Sequence, residues 1–204
     1  MERINEILER RKEIYSLLSS LFLGEIPEKF IEDLLNENFW IPGSKDAEEG
    51  IRIMREFVEK RNSVEEAIKD IEDEYSRLIL FSYSLPLTKS EFLGEGEYGN
   101  VSLEVEEKIR KMGYRLKSNV LPPDHISAQF DFIVTLIESS FEEEGNLKES
   151  LEKQEEFLEN EIITWIPDAL SRLEDVNGFY RGVAKFARGF LSIDRNVVKE
   201  LKLW

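Results

Sequence analysis

Apolar residues recur every three or four positions through almost the whole chain, the period of a helix that buries one face. Ile4, Ile7, Leu8, Ile14, Tyr15, Leu18, Leu21 and Phe22 predict a first helix, which Gly24 and Pro27 end. A shorter helix from Pro27 turns Phe30, Ile31, Leu34 and Leu35 inward and stops before Pro42-Gly43. Ile51, Met54, Phe57 and Val58 mark a third. Ser63 followed by Glu66 reads as a capping box that opens a fourth, running through Ile68, Ile71, Tyr75, Leu78 and Ile79.

The rhythm breaks between Ser82 and Val101, where Pro86, Gly94, Gly96 and Gly99 make the longest irregular stretch. Segments of this kind are functional or disordered more often than they are simple connectors. A helix from about Ser102 to Met112 follows, through Val105 and Ile109, and a second irregular piece reaches Pro122-Pro123. Ile126, Phe130, Ile133, Val134, Ile137 and Phe141 then form one stripe that Phe132 and Leu136 widen, so this helix is expected to be the most buried, at the centre of the core. Leu147, Leu151, Leu158, Ile162 and Trp165 predict another helix, ended or kinked by Pro167. Val176, Phe179, Tyr180, Val183, Ala187, Phe190 and Leu191 define a long last one, with a short helix closing at Trp204. No alternating strand pattern, internal repeat or heptad run competes. The fold class is all-α: a single-domain helical bundle of roughly eight to ten helices over residues 1–204.

Composition narrows the classes of function. Of the 204 residues 41% are hydrophobic and 34% charged, a globular balance. Cysteine is absent, which removes disulfides, thiolate metal sites and cysteine nucleophiles and fits a cytoplasmic setting. The N-terminus, Met1-Glu2-Arg3-Ile4-Asn5-Glu6, lacks the apolar core of a secretory signal, and the longest apolar window, Leu78 to Leu87, is broken by Ser82, Ser84 and Pro86. No stable membrane insertion is expected. A net charge of −16 opposes nucleic acid and anionic lipid as partners and favours a basic one, although acidity also serves solubility alone.

Candidate chemistry is sparse. Gly94-Glu95-Gly96-Glu97-Tyr98-Gly99 spells G-x-G-x-x-G, but without a preceding strand and with two glutamates facing any phosphate it reads as a loop. Arg10-Arg11 reads as a solvated helix face. The acidic clusters Asp70 to Glu74 and Glu142 to Glu144 lack the spacing of a calcium loop and read as solvated too. His125 is the single histidine. Asp124 before it follows two prolines at the start of a helix, where a carboxylate caps backbone N–H groups, so a capping Asp beside a surface His accounts for the pair structurally. No catalytic residue, metal ligand or cofactor is expected.

Leu121-Pro122-Pro123-Asp124-His125-Ile126, running into Phe130-Asp131-Phe132, resembles the Pro-Asp-His signature of the TorD/DmsD/NarJ family, cytoplasmic maturation chaperones of redox enzymes exported by the twin-arginine route. Other pieces fall in that family's order. Arg11 to Phe22 is similar to its opening helix, Glu74-Tyr75 with Leu78 to its Tyr-x-x-Leu-Phe element, and Pro86 with Ser90 and Phe92 to its Pro-rich loop. Trp165-Ile166-Pro167 and Phe179-Tyr180 through Phe190-Leu191 resemble its last helical blocks. The chain departs from the pattern at Ile79 (usually Phe), Leu121 (commonly acidic) and Glu161 (frequently His), which leaves the subfamily and the client open.

The resemblance implies a chaperone that binds the twin-arginine signal peptide and apo form of a molybdenum-containing oxidoreductase subunit until its cofactor is inserted. It places the peptide against Tyr75, Leu78, Pro86, Ser90, Phe92, Leu121, Pro122, Pro123, Asp124 and His125, with Asp124 pairing an arginine and an apolar groove taking the stretch that follows. A second copy of the chain is a further candidate partner, as a homodimer. The alternatives are a helical module that binds an unrelated protein, and a weak nucleotide- or metal-dependent hydrolase built on the acidic clusters and His125.

Overall fold

The computed structural model describes residues 2–39, 43–82, 85–96, 99–115, 121–142 and 147–203, the side chain of 142 excepted. Met1, Pro42, Ser84, Glu97, Tyr98, Glu143, Glu144 and Trp204, named above, lie outside these residues. Among them the chain forms ten α-helices and two π-helical segments: α1 (Glu2–Phe22), α2 (Glu28–Leu35), α3 (Lys45–Val58), α4 (Val64–Tyr75), π1 (Ser76–Phe81), α5 (Lys89–Phe92), α6 (Asn100–Lys111), α7 (Ile126–Glu142), α8 (Leu147–Phe157), π2 (Leu158–Ile162), α9 (Ile166–Ser171) and α10 (Phe179–Leu201). The fold is all-α. The chain separates into two compact units, one of Met1–Ser19, Pro86–Ile166 and Asp194–Trp204, the other of Ser20–Leu85 and Pro167–Ile193.

Most element boundaries follow the apolar period. The first helix ends where Gly24 takes φ +77, a left-handed conformation that costs glycine nothing. Ser63 opens α4 by accepting the Glu66 N–H at 3.2 Å, but Glu66 answers to Asn62 rather than to Ser63, so the capping box is displaced by one residue. The complete box is Thr88 with Glu91, at the head of α5.

Several expectations are corrected. Leu35 and Phe141 are exposed, at 40% and 37%, since the inward arcs of α2 and α7 are narrower than their apolar runs. Pro167 does not end a helix: the preceding one has closed at Ile162, and Pro167 sits in the first turn of α9, where its missing N–H has no intrahelical role. The helices over 64–81 and 147–162 each widen to a π ending, a change of hydrogen-bond step that periodicity does not announce. The last helix is continuous to Leu201. α7 buries Ile126, Phe130, Phe132, Ile133, Leu136 and Ile137 in the first unit, and α10 buries as many side chains in the second, Phe179, Tyr180, Val183, Phe186, Phe190 and Leu191.

In the second unit, α3 and α10 cross through glycine. A Cβ on Gly50 would stand 2.5 Å from the Phe186 amide nitrogen and 2.6 Å from the Gly182 carbonyl. Backbone cannot yield as a flexible side chain can, so Gly50→Ala must push the helices apart. Its expected cost is about 1–3 kcal/mol, read as a lower urea midpoint; an unchanged midpoint would mean that the crossing is loose. Glu74, assigned to a solvated cluster, is 5% exposed and accepts the N–H groups of Phe179 and Tyr180 at 3.0 and 2.8 Å, capping α10. Burial pushes its carboxyl above the usual range, against the pull of those two N–H groups.

The first unit holds a buried polar cluster. Arg11, read as surface, is 3% exposed, and its guanidinium donates to Asp194 at 2.5 and 3.1 Å and to Gln154 at 2.6 Å. The Tyr15 hydroxyl donates to the same Asp194 carboxylate at 2.7 Å. Ser19 and Ser127 exchange hydroxyl-to-carbonyl bonds at 3.3 and 3.0 Å and tie α1 to α7.

Candidate functional site

Pro122 to His125 form a tight turn in which the His125 N–H donates to the Pro122 carbonyl at 2.9 Å. Proline at the second position of a turn is preset in φ, which explains the pair of prolines locally. The turn delivers Asp124 and His125 to the start of α7 in roles opposite to those the sequence suggested. His125 is the cap: its Nδ1 accepts the Ser127 N–H at 3.1 Å, which requires the proton to be on Nε2. It is also buried, at 6% exposure, and burial pushes its imidazole down to about 4 against the opposing attraction of Asp124 and Glu91.

Asp124 does not cap α7. It is fully buried and points to the strap that precedes it in sequence, where Oδ2 accepts the Ser90 N–H at 2.8 Å and the Ser90 hydroxyl at 2.5 Å. Oδ1 has no hydrogen-bond partner. Backbone groups reinforce the junction: the Lys89 N–H donates to the Asp124 carbonyl at 3.1 Å, the Ile126 N–H to the Leu87 carbonyl at 2.8 Å, and Thr88 and His125 make an isolated antiparallel bridge.

The strap is held from its other side by Glu161. This residue, 1% exposed, receives the Lys89 ammonium at 2.9 Å on one oxygen and that of Lys108, from α6, on the other. The buried carboxylate is thus compensated at both oxygens, the condition for a charge to survive burial, while Lys108 keeps access to water. Phe92 closes the strap against Trp165, with ring centroids 6.1 Å apart, and the Trp165 indole N–H donates to Gln129 Oε1 at 3.0 Å. Gln129 is fully buried, and its amide nitrogen has no partner.

Of the residues expected to bind a peptide, the structure brings Ser90, Asp124 and His125 together directly, with Pro86 and Pro122 buried and Phe92, Leu121 and Pro123 half-buried in the same unit. Tyr75 and Leu78 belong to the other unit and are buried there, at 8% and 7% exposure. The Tyr75 hydroxyl donates to the Phe22 carbonyl at 3.1 Å, and its ring packs 5.6 Å from that of Tyr180. Lys89 and Gln129 were not singled out, and Glu161 was named only as a departure from the family pattern. The Thr-x-x-Glu spacing at Thr88 was a legible sign of the short helix; nothing local distinguishes a buried Glu161 from its acidic neighbours. Gly94 and Gly99 serve a turn: Gly94 takes φ +81, and Glu95 Oε2 accepts the Val101 N–H at 3.5 Å, putting a carboxylate at the head of α6, where a phosphate would have to stand. Among the described residues no group of three or more His, Asp or Glu side chains is arranged to hold a metal ion, and no helix is long and apolar enough to cross a membrane.

The chain is an all-α protein in which a proline turn, a short strap and two buried carboxylates form one hydrogen-bonded junction. The chain belongs to the nitrate reductase delta subunit family, whose model matches residues 43–171, and within it is TorD-like. It is 26% identical to the chaperone protein TorD of Vibrio parahaemolyticus over 95% of this chain and 97% of that protein. The chaperone protein TorD of Vibrio cholerae is 27% identical over 98% and 97%, and that of Shewanella pealeana 25% over 94% and 90%. No solved structure matches the chain.

Proposed function

We propose that this protein is a cytoplasmic redox-enzyme maturation chaperone that binds the twin-arginine signal peptide and apo form of a molybdenum-containing oxidoreductase subunit, residues 1–204 acting as one functional domain. Asp124 carries the reading. A fully buried carboxylate with one oxygen on Ser90 and the other without a partner is a poor structural element and a ready acceptor for a guanidinium. Because Asp124 is covered, the strap Pro86–Phe92 has to lift for an arginine to reach it. Lifting exposes Phe92 and the apolar wall of Trp165 beside the carboxylate, the pairing of charge and apolar surface that an arginine pair followed by an apolar stretch requires. The near full-length similarity to chaperones supports the same reading.

Asp124→Asn tests it. Asparagine keeps a carbonyl oxygen for the Ser90 N–H and removes only the charge, so the fold survives while affinity for a synthetic arginine-pair signal peptide falls by about 1–3 kcal/mol. Isothermal titration at low salt reads the change. Equal affinity for the two proteins would take the arginine contact away from Asp124, and absence of binding by the unmodified protein would remove the peptide from the proposal.

A further inference from the structure

In the second unit a cavity of about 370 Å³ lies at the end of α3, the turn into α4 and the start of α10. Arg52, Lys60, Arg61 and Arg181 line it against a single carboxylate, Glu56, in a chain whose net charge is −16. Two of these cations have counter-charges. Arg52 donates to Glu56 at 2.5 Å, and Arg61 donates to Asp70 at 3.0 Å. Arg61 is further fixed by the Phe57 carbonyl at 2.5 Å and by the Phe57 ring, whose centroid is 3.5 Å from its guanidinium carbon. Lys60 and Arg181 make no ion pair among the described residues, and the buried Nε of Arg181 has no acceptor.

We propose that this cavity binds a phosphate monoester, its phosphoryl group between Lys60 and Arg181 and its organic body against Ile53 and Phe57. Charge balance selects the dianion. A phosphate monoester carries about −1.5 to −2 at neutral pH and neutralises both unpaired cations, whereas a carboxylate or sulfate ester leaves one over. Its oxygens accept from the Arg181 guanidinium and the Lys60 ammonium that line the cavity. The cavity is larger than a phosphate ion and within the range of small-molecule sites, so an organic body has room.

The test uses the full chain and three probes at about pH 7.5: phenyl phosphate, phenyl sulfate with the same ring and one charge fewer, and inorganic phosphate. Calorimetry is expected to rank phenyl phosphate roughly tenfold or more above phenyl sulfate and above inorganic phosphate, which lacks the ring. Arg181→Gln and Lys60→Gln should each weaken phenyl phosphate by roughly tenfold, and Lys111→Gln, on another surface depression, should leave it unchanged. Lys60 is exposed, so its replacement leaves folding intact and keeps the result readable even if Arg181→Gln is unstable. Acidification below the second phosphate pKa, near about 6, should bring phenyl phosphate down toward the sulfate. Equal affinity for the two esters, indifference to Lys60→Gln, or no binding at millimolar probe would each overturn the proposal. None of these readouts involves a signal peptide, so they stand or fall apart from the chaperone reading.

Discussion

Asp194→Ala will remove about 3–5 kcal/mol of folding free energy, the cost of leaving a buried charge without its partner. Arg11 is 3% exposed and has no route for its guanidinium to reach water without unpacking α1. Its charge is tolerated because Asp194 receives two of its N–H groups and Gln154 a third. Burial opposes that charge, yet Asp194 holds the guanidinium above its ordinary pKa. Alanine also takes the acceptor from the Tyr15 hydroxyl, whose own pKa burial raises far above the usual phenol value. The control is the double substitution Arg11→Met with Asp194→Leu, which removes both charges and fills the space. It should cost much less than Asp194→Ala, since an apolar replacement of a whole buried pair is often neutral. Urea unfolding of the three proteins decides. A loss below about 1 kcal/mol in Asp194→Ala would mean that Arg11 finds water or another partner and that the pair is structurally incidental.

A second large effect is expected from acid. The His125 imidazole, held near pKa about 4 by burial, compares with about 6.5 in an unfolded chain. Between those values the unfolded chain binds the proton and the folded one does not, so stability rises with pH across the window. The contribution is complete above about pH 6.5 and declines as pH falls to about 4, by an amount on the order of 3 kcal/mol. Protonation also abolishes the Nδ1 lone pair that accepts the Ser127 N–H, so the start of α7 loosens in the same range. His125→Asn separates this from the carboxylates that titrate in the same range. Asparagine caps a helix and does not ionise, so its stability should fall less steeply between about pH 6.5 and pH 4 than that of the unmodified protein. Parallel curves would show that His125 is hydrated enough to titrate normally.

These two residues also mark where sequence reasoning stops. Apolar periodicity located α1, α3, α7 and α10 because each helix repeats its buried face over several turns and every repeat adds to the signal. Arg11 carries no such signal: it follows Arg10 in a charged run, and the carboxylate that makes it buried lies 183 residues later. Asp124 and His125 were found together and given each other's tasks. A carboxylate after proline at a helix start is the commoner cap, and only the strap brought over by Thr88 and Lys89 turns Asp124 away from α7. Leu35 and Phe141 failed in the other direction, apolar residues just beyond the edge of an inward arc. The π endings of the two longer patterns were not legible, since widening a turn leaves the residue types unchanged. The family motif fared differently from the period: it located the turn and the strap as one region without any geometric knowledge of how Ser90 meets Asp124.

Glu161 adds a property that no single contact suggests. One buried carboxylate pairs with the ammonium groups of two helices, Lys89 on α5 and the more exposed Lys108 on α6. The two ammonium groups repel each other, so if either lysine leaves, the other is held in a one-to-one pair with Glu161 and more tightly than before. The ionic clasp therefore tolerates the loss of either lysine but not of the carboxylate, whose removal leaves the ammonium groups of α5 and α6 without their shared anion. With histidine at this point, as the resembled family pattern frequently has it, such a clasp would be missing its shared anion, and α5 and α6 would need another fastening.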